Sequence, residues 1–192
     1  MKITKLIFVI IVIASILSSC SKNDDSITIE TAPQYPMKSL IESGYMELDL
    51  EKHTDLQIEM GHRFKSFKNG KITALGVRIP NNGLYRVTLW NAETEDILIT
   101  KNITSTSGLL SFEDIQPIEI SSGVSYFISV NTLDHYIFSS SENAESNIFP
   151  IESGNILIEG YSTYLGENQI LPSELIKTHY KGMVDFKFIA YN

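Results

Sequence analysis

The sequence has little cysteine: Cys20 is the only one among 192 residues. No internal disulfide can form, and a zinc site built on several thiolates is excluded as well. Long apolar runs are also missing, because the longest, from Leu6 to Leu17, is about a dozen residues. A membrane-spanning helix needs ~20 such residues. The folded part of the chain must therefore be stabilised by an ordinary hydrophobic core.

The signatures of common enzyme classes are absent too. The sequence contains no Gly-x-Ser-x-Gly nucleophile elbow, no phosphate-binding loop and no dinucleotide-binding fingerprint. The histidines are His53, His62, His135 and His179. None stands at a metal-ligand spacing such as i, i+4 from another. Asp134-His135 beside serines is a weak candidate for a hydrolytic triad, because the nucleophile elbow is absent. Glu113-Asp114 and Asp24-Asp25 make no glycosidase carboxylate pair by themselves, because neighbours on a strand point to opposite faces. We expect a protein that is not an enzyme and has no cofactor or metal.

Basic residues are scarce, since 15 Lys and Arg stand against 23 Asp and Glu, for a formal net charge of −8. The acidic balance argues against nucleic acid and against an anionic membrane surface as partners. The charge is unevenly placed. Every charged residue from Arg63 to Arg86 is basic, whereas no Lys or Arg lies between Lys101 and Lys177. We interpret this as the solvated faces of a sheet protein, with a Ca2+ site in the acidic half as the alternative.

The N-terminus has the features of an export signal. Lys2 and Lys5 precede the apolar stretch, and Leu17-Ser18-Ser19-Cys20 stands at its end. This tetrapeptide resembles the lipobox read by lipoprotein signal peptidase. The resemblance implies that residues 1–19 are a lipoprotein signal peptide and that lipid is attached to Cys20. Two or three acyl chains, at ~0.8 kcal/mol per buried methylene, would anchor the protein firmly to a membrane. An unmodified secreted chain is the alternative.

A polar stretch follows the cysteine. Ser21 to Asp25 resembles a tag that sends Gram-negative lipoproteins to the outer face of the outer membrane, which implies a lipid-anchored protein facing the cell exterior. Asp25-Ser26-Ile27 fits a three-residue O-glycosylation pattern, or is an ordinary linker tripeptide. With Pro33, Pro36 and little to bury, residues 20–37 are expected to be a lipidated flexible tether. The folded domain is expected at 38–192.

The domain is dominated by a period of two, as in Tyr126 to Val130 and Val184 to Ala190. This period predicts strands with one buried face. Further strands are predicted at 46–50, 56–60, 62–68, 75–79, 85–89, 96–103, 109–113, 117–120, 135–139 and 154–161. Asn82-Gly83 predicts a hairpin turn, and residues 172–176 are a weak helix candidate. Many short strands separated by turns predict an all-β fold, an antiparallel β-sandwich or jelly roll.

Three segments carry a resemblance to a known family. They are Gly70-Lys71-Ile72-Thr73-Ala74-Leu75-Gly76-Val77-Arg78, Leu89-Trp90 at a strand end, and the stretch from Pro117-Ile118-Glu119-Ile120 to Tyr126. Over about 61 to 138 the chain resembles the bacterial "domain of unknown function 4082" family, departing from it at 108–110, where the family usually carries a tryptophan. The resemblance implies a sandwich like that of carbohydrate-binding modules in secreted bacterial proteins, without an agreed activity.

Aromatic side chains are the candidates for contact with a ligand, because sugars stack on exposed rings. Those considered are Trp90, Tyr136, Tyr161 and Tyr164, together with Tyr85 and Tyr180; core packing is the alternative for each. We expect a non-catalytic cell-surface binding or accessory lipoprotein whose ligand is a glycan or cell-wall polymer. The alternative is a structural or adhesive protein that contacts protein partners, and a surface hydrolase comes third.

Overall fold

The computed structural model describes residues 29–140 and 147–192. The signal peptide, Cys20, the export tag and Asp25-Ser26-Ile27 lie outside the described residues. The described chain contains a short helix, α1 (Pro36–Glu42), and the following strands: β1 (Met46–Ser66), β2 (Gly70–Val77), β3 (Gly83–Asn91), β4 (Ile97–Ser105), β5 (Ser111–Ile120), β6 (Ser125–Ser140), β7 (Ile151–Ser153), β8 (Ile156–Leu165), β9 (Tyr180–Lys181) and β10 (Val184–Ala190). No helix among these residues is long and apolar enough to cross a bilayer.

The strands form two antiparallel sheets. The larger, seven-stranded sheet has the order β4-β3-β6-β1-β8-β7, with β9 paired to β6, and the smaller has the order β10-β2-β5. The two sheets pack face to face around a single apolar cluster. At its centre the rings of Phe64, on β1, and Phe186, on β10, lie 4.4 Å apart between centroids. The predicted all-β antiparallel sandwich is therefore confirmed.

Two of the strands are longer than their sequence patterns indicated. The predictions 46–50, 56–60 and most of 62–68 fall on the single strand β1, and 135–139 continues β6 beyond Val130. β1 and β6 pair along most of their lengths, with register shifts at 48/50 and 53/58. These irregularities interrupt the alternation of apolar and polar residues along β1, so its sequence has the pattern of several short strands. The first half of β1 pairs with β6 on one side. On its opposite side β8 pairs with β1 only from Ile58 onward, so among the described strands of this sheet none pairs with that side of the first half.

The predicted hairpin at Asn82-Gly83 is wrong. β2 belongs to the smaller sheet and β3 to the larger, so residues 78–82 carry the chain from one layer to the other. The connection is fixed by tertiary contacts, because the Arg78 amide donates to the carbonyl of Met183 at 2.9 Å. The side-chain oxygen of Asn82 accepts from the amide of Ser107 at 2.6 Å. Asn82 thus joins two loops of the sandwich.

The N-terminal boundary also differs from the expected one. Residues 29–37 were expected in the tether, yet Thr31 and Gln34 pair through their backbones with β10, and Met37 is fully buried. α1 begins with Pro36, a residue favoured at the first helical position because its φ is preset. The packed domain therefore includes residues 29–37. The weak helix candidate 172–176 is not helical.

The uneven charge along the chain is partly balanced by ion pairs between strands. Lys65 lies 3.2 Å from Glu159, and Lys101 lies 3.4 Å from Glu113. The first pair joins the neighbouring strands β1 and β8, whereas the second joins β4 of the larger sheet to β5 of the smaller one. Among the described residues, no group of three or more His, Cys, Asp or Glu side chains could hold a metal ion, so none of them forms a Ca2+ site of that kind.

Candidate functional site

A cavity of ≈ 250 Å³ opens at one end of the sandwich. We call it the end cavity. Its walls come from α1, the end of β2, the β4–β5 loop and the residue before β10. The lining residues are Lys38, Ile41, Glu42, Arg78, Gly108, Leu109, Leu110 and Met183. Cationic and apolar side chains therefore converge at a place where four segments meet.

Arg78 is held in a fixed position at this cavity. Its Nε donates to the carbonyl of Gly108 at 2.8 Å, and its guanidinium carbon lies 5.2 Å from the centroid of the Tyr136 ring. Gly108 has φ +72, and a Cβ there would lie 3.0 Å from the Tyr136 hydroxyl. Glycine therefore suits both the backbone conformation and the close approach of the ring. The loop and the ring together orient the guanidinium.

Lys38 supplies a second cation to the end cavity from α1. Its Nζ lies 5.4 Å from the centroid of the Tyr35 ring and 3.8 Å from Glu42 Oε1. Both side chains of this ion pair are well exposed, at 41% for Lys38 and 67% for Glu42. Exposed ion pairs of this kind contribute only ~0.2–1 kcal/mol to stability, so the attraction between Lys38 and Glu42 is weak.

The position of α1 depends on a buried carboxylate. Asp185 Oδ1 accepts from the amide of Met37 at 3.1 Å and Oδ2 accepts from the amide of Lys38 at 2.9 Å. Asp185 is fully buried. Burial raises the pKa of Asp185 to about 7, against the opposing effect of backbone hydrogen bonds from Lys38, Phe186 and Met37 and of the Lys38 charge. The smaller sheet thus fixes the helix that forms one wall of the end cavity.

The chemistry available in the end cavity is that of binding. Its lining residues include no serine, cysteine or histidine that could act as a nucleophile or general base, and Glu42 is the single carboxylate among them. Arginine and lysine beside apolar side chains instead recognise a group that carries both charge and apolar surface. The lining thus has a composition that can contact such a group.

Trp90 is not an exposed platform. It is 3% exposed, and its Nε1 donates to Ser129 Oγ at 3.0 Å. Ser129 Oγ in turn donates to the buried carboxylate of Glu59 at 2.5 Å, and Arg86 contacts the same carboxylate at 2.8 Å. The expectation that a ligand stacks on Trp90 is therefore corrected, because the ring belongs to a hydrogen-bonded layer on the outer face of the larger sheet.

That outer face is covered by residues 166–176, which we call the cover segment. The backbone carbonyl of Gly166 accepts from Asn131 at 3.1 Å, and Gln169 Nε2 donates to Thr88 and Thr100 at 2.9 and 2.6 Å. Leu175 packs over Gly160, 3.5 Å from the position of an added Cβ. The cover segment explains how side chains that alternation placed away from the core are nevertheless buried.

The remaining candidate tyrosines fall into three environments. Tyr161 and Tyr180 are fully buried, and the Tyr161 hydroxyl bonds His179 Nε2 at 3.1 Å, so these rings are core and the expectation of ligand contact at Tyr161 is corrected. Tyr85 and Tyr164 are half-buried. Tyr136 is 7% exposed but stacks on Arg78 at the end cavity. Of the predicted aromatics, Tyr136 is thus the one that supports a cavity-lining side chain.

Among the described residues, no histidine is hydrogen-bonded to both Asp134 and a serine, as a hydrolytic triad would require. Asp134 instead bonds His53 Nδ1 at 2.5 Å, and the His53 side chain is 65% exposed. His135, the next residue, is 2% exposed, and burial lowers its pKa to about 4. His62 is fully buried, and burial lowers its pKa to about 3. Both buried histidines are therefore neutral at physiological pH.

Comparison with known proteins gives few matches. Neither a family model nor a curated protein matches the chain. A solved structure described as "Structure of infectious bursal disease virus Gt strain" is similar over 85% of this chain and 42% of that chain, at 11% identity and a TM-score of 0.25. The chain thus spans less than half the length of that protein. A similarity this low supports no conclusion, and the resemblance to the domain of unknown function 4082 family stays a hypothesis.

The sequence did not single out the end cavity. Arg78 was noted only in a basic stretch and at the end of a segment that carries the family resemblance, and Lys38 fell at the expected tether boundary. The missed signal is the spacing of Met37, Leu40 and Ile41 after Pro36, which is the i, i+3, i+4 pattern of a helix with one buried face. That pattern would have placed Lys38 on the exposed side of a packed helix.

Proposed function

We propose that this chain is a non-catalytic, lipid-anchored surface protein that binds a glycan or cell-wall polymer at the end cavity. The observation that carries the proposal is the oriented guanidinium of Arg78 beside Ile41 and Leu110. Sugars present hydroxyl groups at the edge of a ring and C–H groups on its face, and binding sites combine a few fixed polar groups with apolar surface. The end cavity has this composition.

The location is part of the same proposal. The lipobox resemblance of Leu17-Ser18-Ser19-Cys20 supports a lipid anchor at Cys20, and the polar residues that follow support display on the outer face of the outer membrane. The acidic net charge of −8 argues against nucleic acid as the partner. A protein held at the cell surface meets extracellular polysaccharide directly.

The test is binding to a glycan panel by the purified full chain in detergent micelles. We expect at least one polysaccharide or cell-wall oligomer to bind, and binding to fall when Leu109, which is 63% exposed at the rim of the cavity, is replaced by Asp, because this places a negative charge on an apolar part of the lining. Leu84→Asp, at a position that is 65% exposed and does not line the cavity, is the matched control. A panel with no binder, or equal losses in both variants, would contradict the proposal.

One observation favours a second function, contact with protein partners. Within residues 29–140 and 147–192, no strand of the larger sheet pairs with the free edge of the first half of β1, and Leu48 and Leu50 on it are 47% and 39% exposed. A free edge with apolar side chains can accept another strand. Under this alternative, Leu48→Lys with Leu50→Lys abolishes cell adhesion while glycan binding is retained. Unchanged adhesion of cells that display the double variant would exclude it.

A further inference from the structure

We propose that the end cavity selects an acidic sugar residue, a uronic acid within a glycan, by binding its carboxylate through Arg78. The proposal rests on the proposed function and names the chemical class of the ligand. It follows from how Arg78 is bonded, from the balance of charge around it and from the size of the cavity.

Arg78 retains most of its hydrogen-bonding capacity. Its Nε is engaged by the carbonyl of Gly108, whereas the ion pairs among residues 29–140 and 147–192 include none to Arg78. A guanidinium offers two parallel N–H groups on a rigid plane, which match the two oxygens of a carboxylate. Because Gly108 and the Tyr136 ring already hold that plane, little side-chain freedom is lost on binding.

The charge of the end cavity matches a single negative charge. Arg78 and Lys38 are positive and Glu42 is negative, so the lining residues sum to one positive charge. A uronate carries one negative charge and balances this sum, whereas a doubly charged phosphate would not. Complementary charge of this kind contributes mainly to specificity. In a chain of net charge −8, such a local excess of cations is the distinguishing feature of this surface.

The rest of the cavity suits the ring that carries the carboxylate. Ile41, Leu110 and the buried Met183 form apolar walls, and Leu109 is 63% exposed at the rim. The volume of ≈ 250 Å³ lies below the ~300–1,000 Å³ of pockets that enclose drug-sized ligands. One sugar ring therefore occupies the cavity, and the neighbouring residues of the polymer extend into solvent.

The test compares one oligosaccharide with and without its charge. Trigalacturonic acid and its methyl ester share the same rings, and calorimetry with the full chain in micelles measures both. We expect the acid to bind, the ester to bind at least tenfold more weakly, and binding of the acid to weaken as salt is raised. Equal binding of acid and ester would overturn the carboxylate inference and leave the proposed function standing.

Matched variants assign the effect to Arg78. Arg78→Gln should lower affinity for the acid about 10- to 100-fold, the range for a lost charge-assisted hydrogen bond. Lys68→Gln makes the same change of charge at the opposite end of β2, outside the cavity lining, and should leave affinity unchanged. Equal losses in the two variants would mean that net charge alone, and not the site, governs binding.

A variant that is expected to bind the acid more tightly controls for loss of affinity caused by misfolding. Glu42→Gln removes the carboxylate that competes for Lys38 and repels the ligand, so affinity for the acid should rise about two- to fivefold. A variant that merely unfolds cannot bind more tightly. If Glu42→Gln binds the acid more weakly, or if the acid fails to bind while another panel member does, the inference is wrong. If nothing in the panel binds, the proposed function itself fails.

Discussion

Asp185 accepts a hydrogen bond from the backbone amide of Lys38 at 2.9 Å, across 147 positions of the sequence. The contact joins β10 of the smaller sheet to α1. It fixes a residue of the end cavity through the backbone of α1, while the Lys38 side chain stays free to face a ligand. The stability of the fold and the shape of the proposed site are coupled at this point.

The first prediction concerns the N-terminal boundary. Deleting residues 21–28 should leave the urea midpoint of unfolding unchanged, whereas deleting residues 21–37 should lower it strongly. The longer deletion removes the buried Met37 side chain, at a cost of ~2–5 kcal/mol for such a residue, and takes one donor, the Met37 amide, from Asp185. Equal midpoints for the two deletions would show that residues 29–37 are a tether after all.

The second prediction concerns pH. Because burial raises the pKa of Asp185 to about 7, the folded protein holds a proton between about pH 4 and 7 that the unfolded chain, with an Asp pKa near 3.9, releases. Asp185 therefore contributes stability that increases as pH falls through this window. His62 and His135 act in the opposite direction, since burial lowers the pKa of His62 to about 3 and that of His135 to about 4.

Asp185→Asn removes the contribution that offsets these histidines. Between about pH 4 and 6.5, the free energy of unfolding of the variant should fall on acidification by about 1.4 kcal/mol per pH unit more than that of the wild type. Losing one acceptor lowers stability by a constant amount and does not alter the slope. Urea titrations at four pH values measure both slopes, and parallel curves would contradict a raised pKa at Asp185. The Lys38 charge and the Tyr180 hydroxyl near Asp185 are unchanged in the variant.

The third prediction concerns Trp90. Since this ring is buried and bonded to Ser129, Trp90→Ala should lower stability by ~3–5 kcal/mol, the range for a large aromatic removed from a packed layer. Ligand affinity per folded molecule should not change, because the residue lies outside the end cavity. A small shift in melting temperature with a specific loss of glycan binding would return Trp90 to the role of a platform.

The fourth prediction concerns the anchor. Cys20→Ala should block acylation and leave the chain uncleaved or mislocalised, because the lipobox resemblance makes the thiol the site of lipid attachment. Metabolic labelling with radioactive palmitate, followed by membrane fractionation, measures this. Cys20→Ser is a closer match in size and should behave in the same way. Normally processed variant in the membrane fraction would show that Leu17-Ser18-Ser19-Cys20 is not a lipobox.

The fifth prediction concerns display at the surface. Replacing Lys22, Asp24 and Asp25 with Ala should reduce cleavage of the protein when intact cells are treated with protease, while membrane attachment is retained. The replaced residues belong to the proposed export tag, and the proposed lipid-attachment site, Cys20, is unchanged. Equal protease shaving of variant and wild type would mean that the tag does not direct export.

The fold was predictable because the strongest signal in the chain is local. Alternation in Val184 to Ala190 reports directly which side of the strand is buried, and that is enough to indicate a sandwich. The partner of each strand is a different matter. Asn82-Gly83 has the composition of a hairpin, yet the chain crosses between sheets there, because burial of Ile79 and the contact of Arg78 with Met183 outweigh the local turn preference.

The candidate site was not predictable for a related reason. Arg78, Gly108 and Lys38 are brought together by the meeting of both sheets and a helix, and no spacing in the sequence records that meeting. Trp90 was misjudged because alternation tells only that a side chain points away from the core. It does not tell that Ser129 and Glu59, on the neighbouring strands β6 and β1, form a buried hydrogen-bonded layer with the ring. Nor does it tell that residues 166–176 return to other positions on the same face.

The pairing of residues 29–34 with β10 determines how mechanical tension enters the domain. A pull from the N-terminal side reaches Ile29 first, whose carbonyl accepts from the amide of Asn192 at 2.8 Å. This bond is the outermost of those that join residues 29–34 to β10 and Asn192. We therefore expect tension to break these bonds one after another rather than all at once. Six released residues extend by about 20 Å at ~3.3 Å each. We therefore expect this edge to open under tension before either sheet is pulled apart.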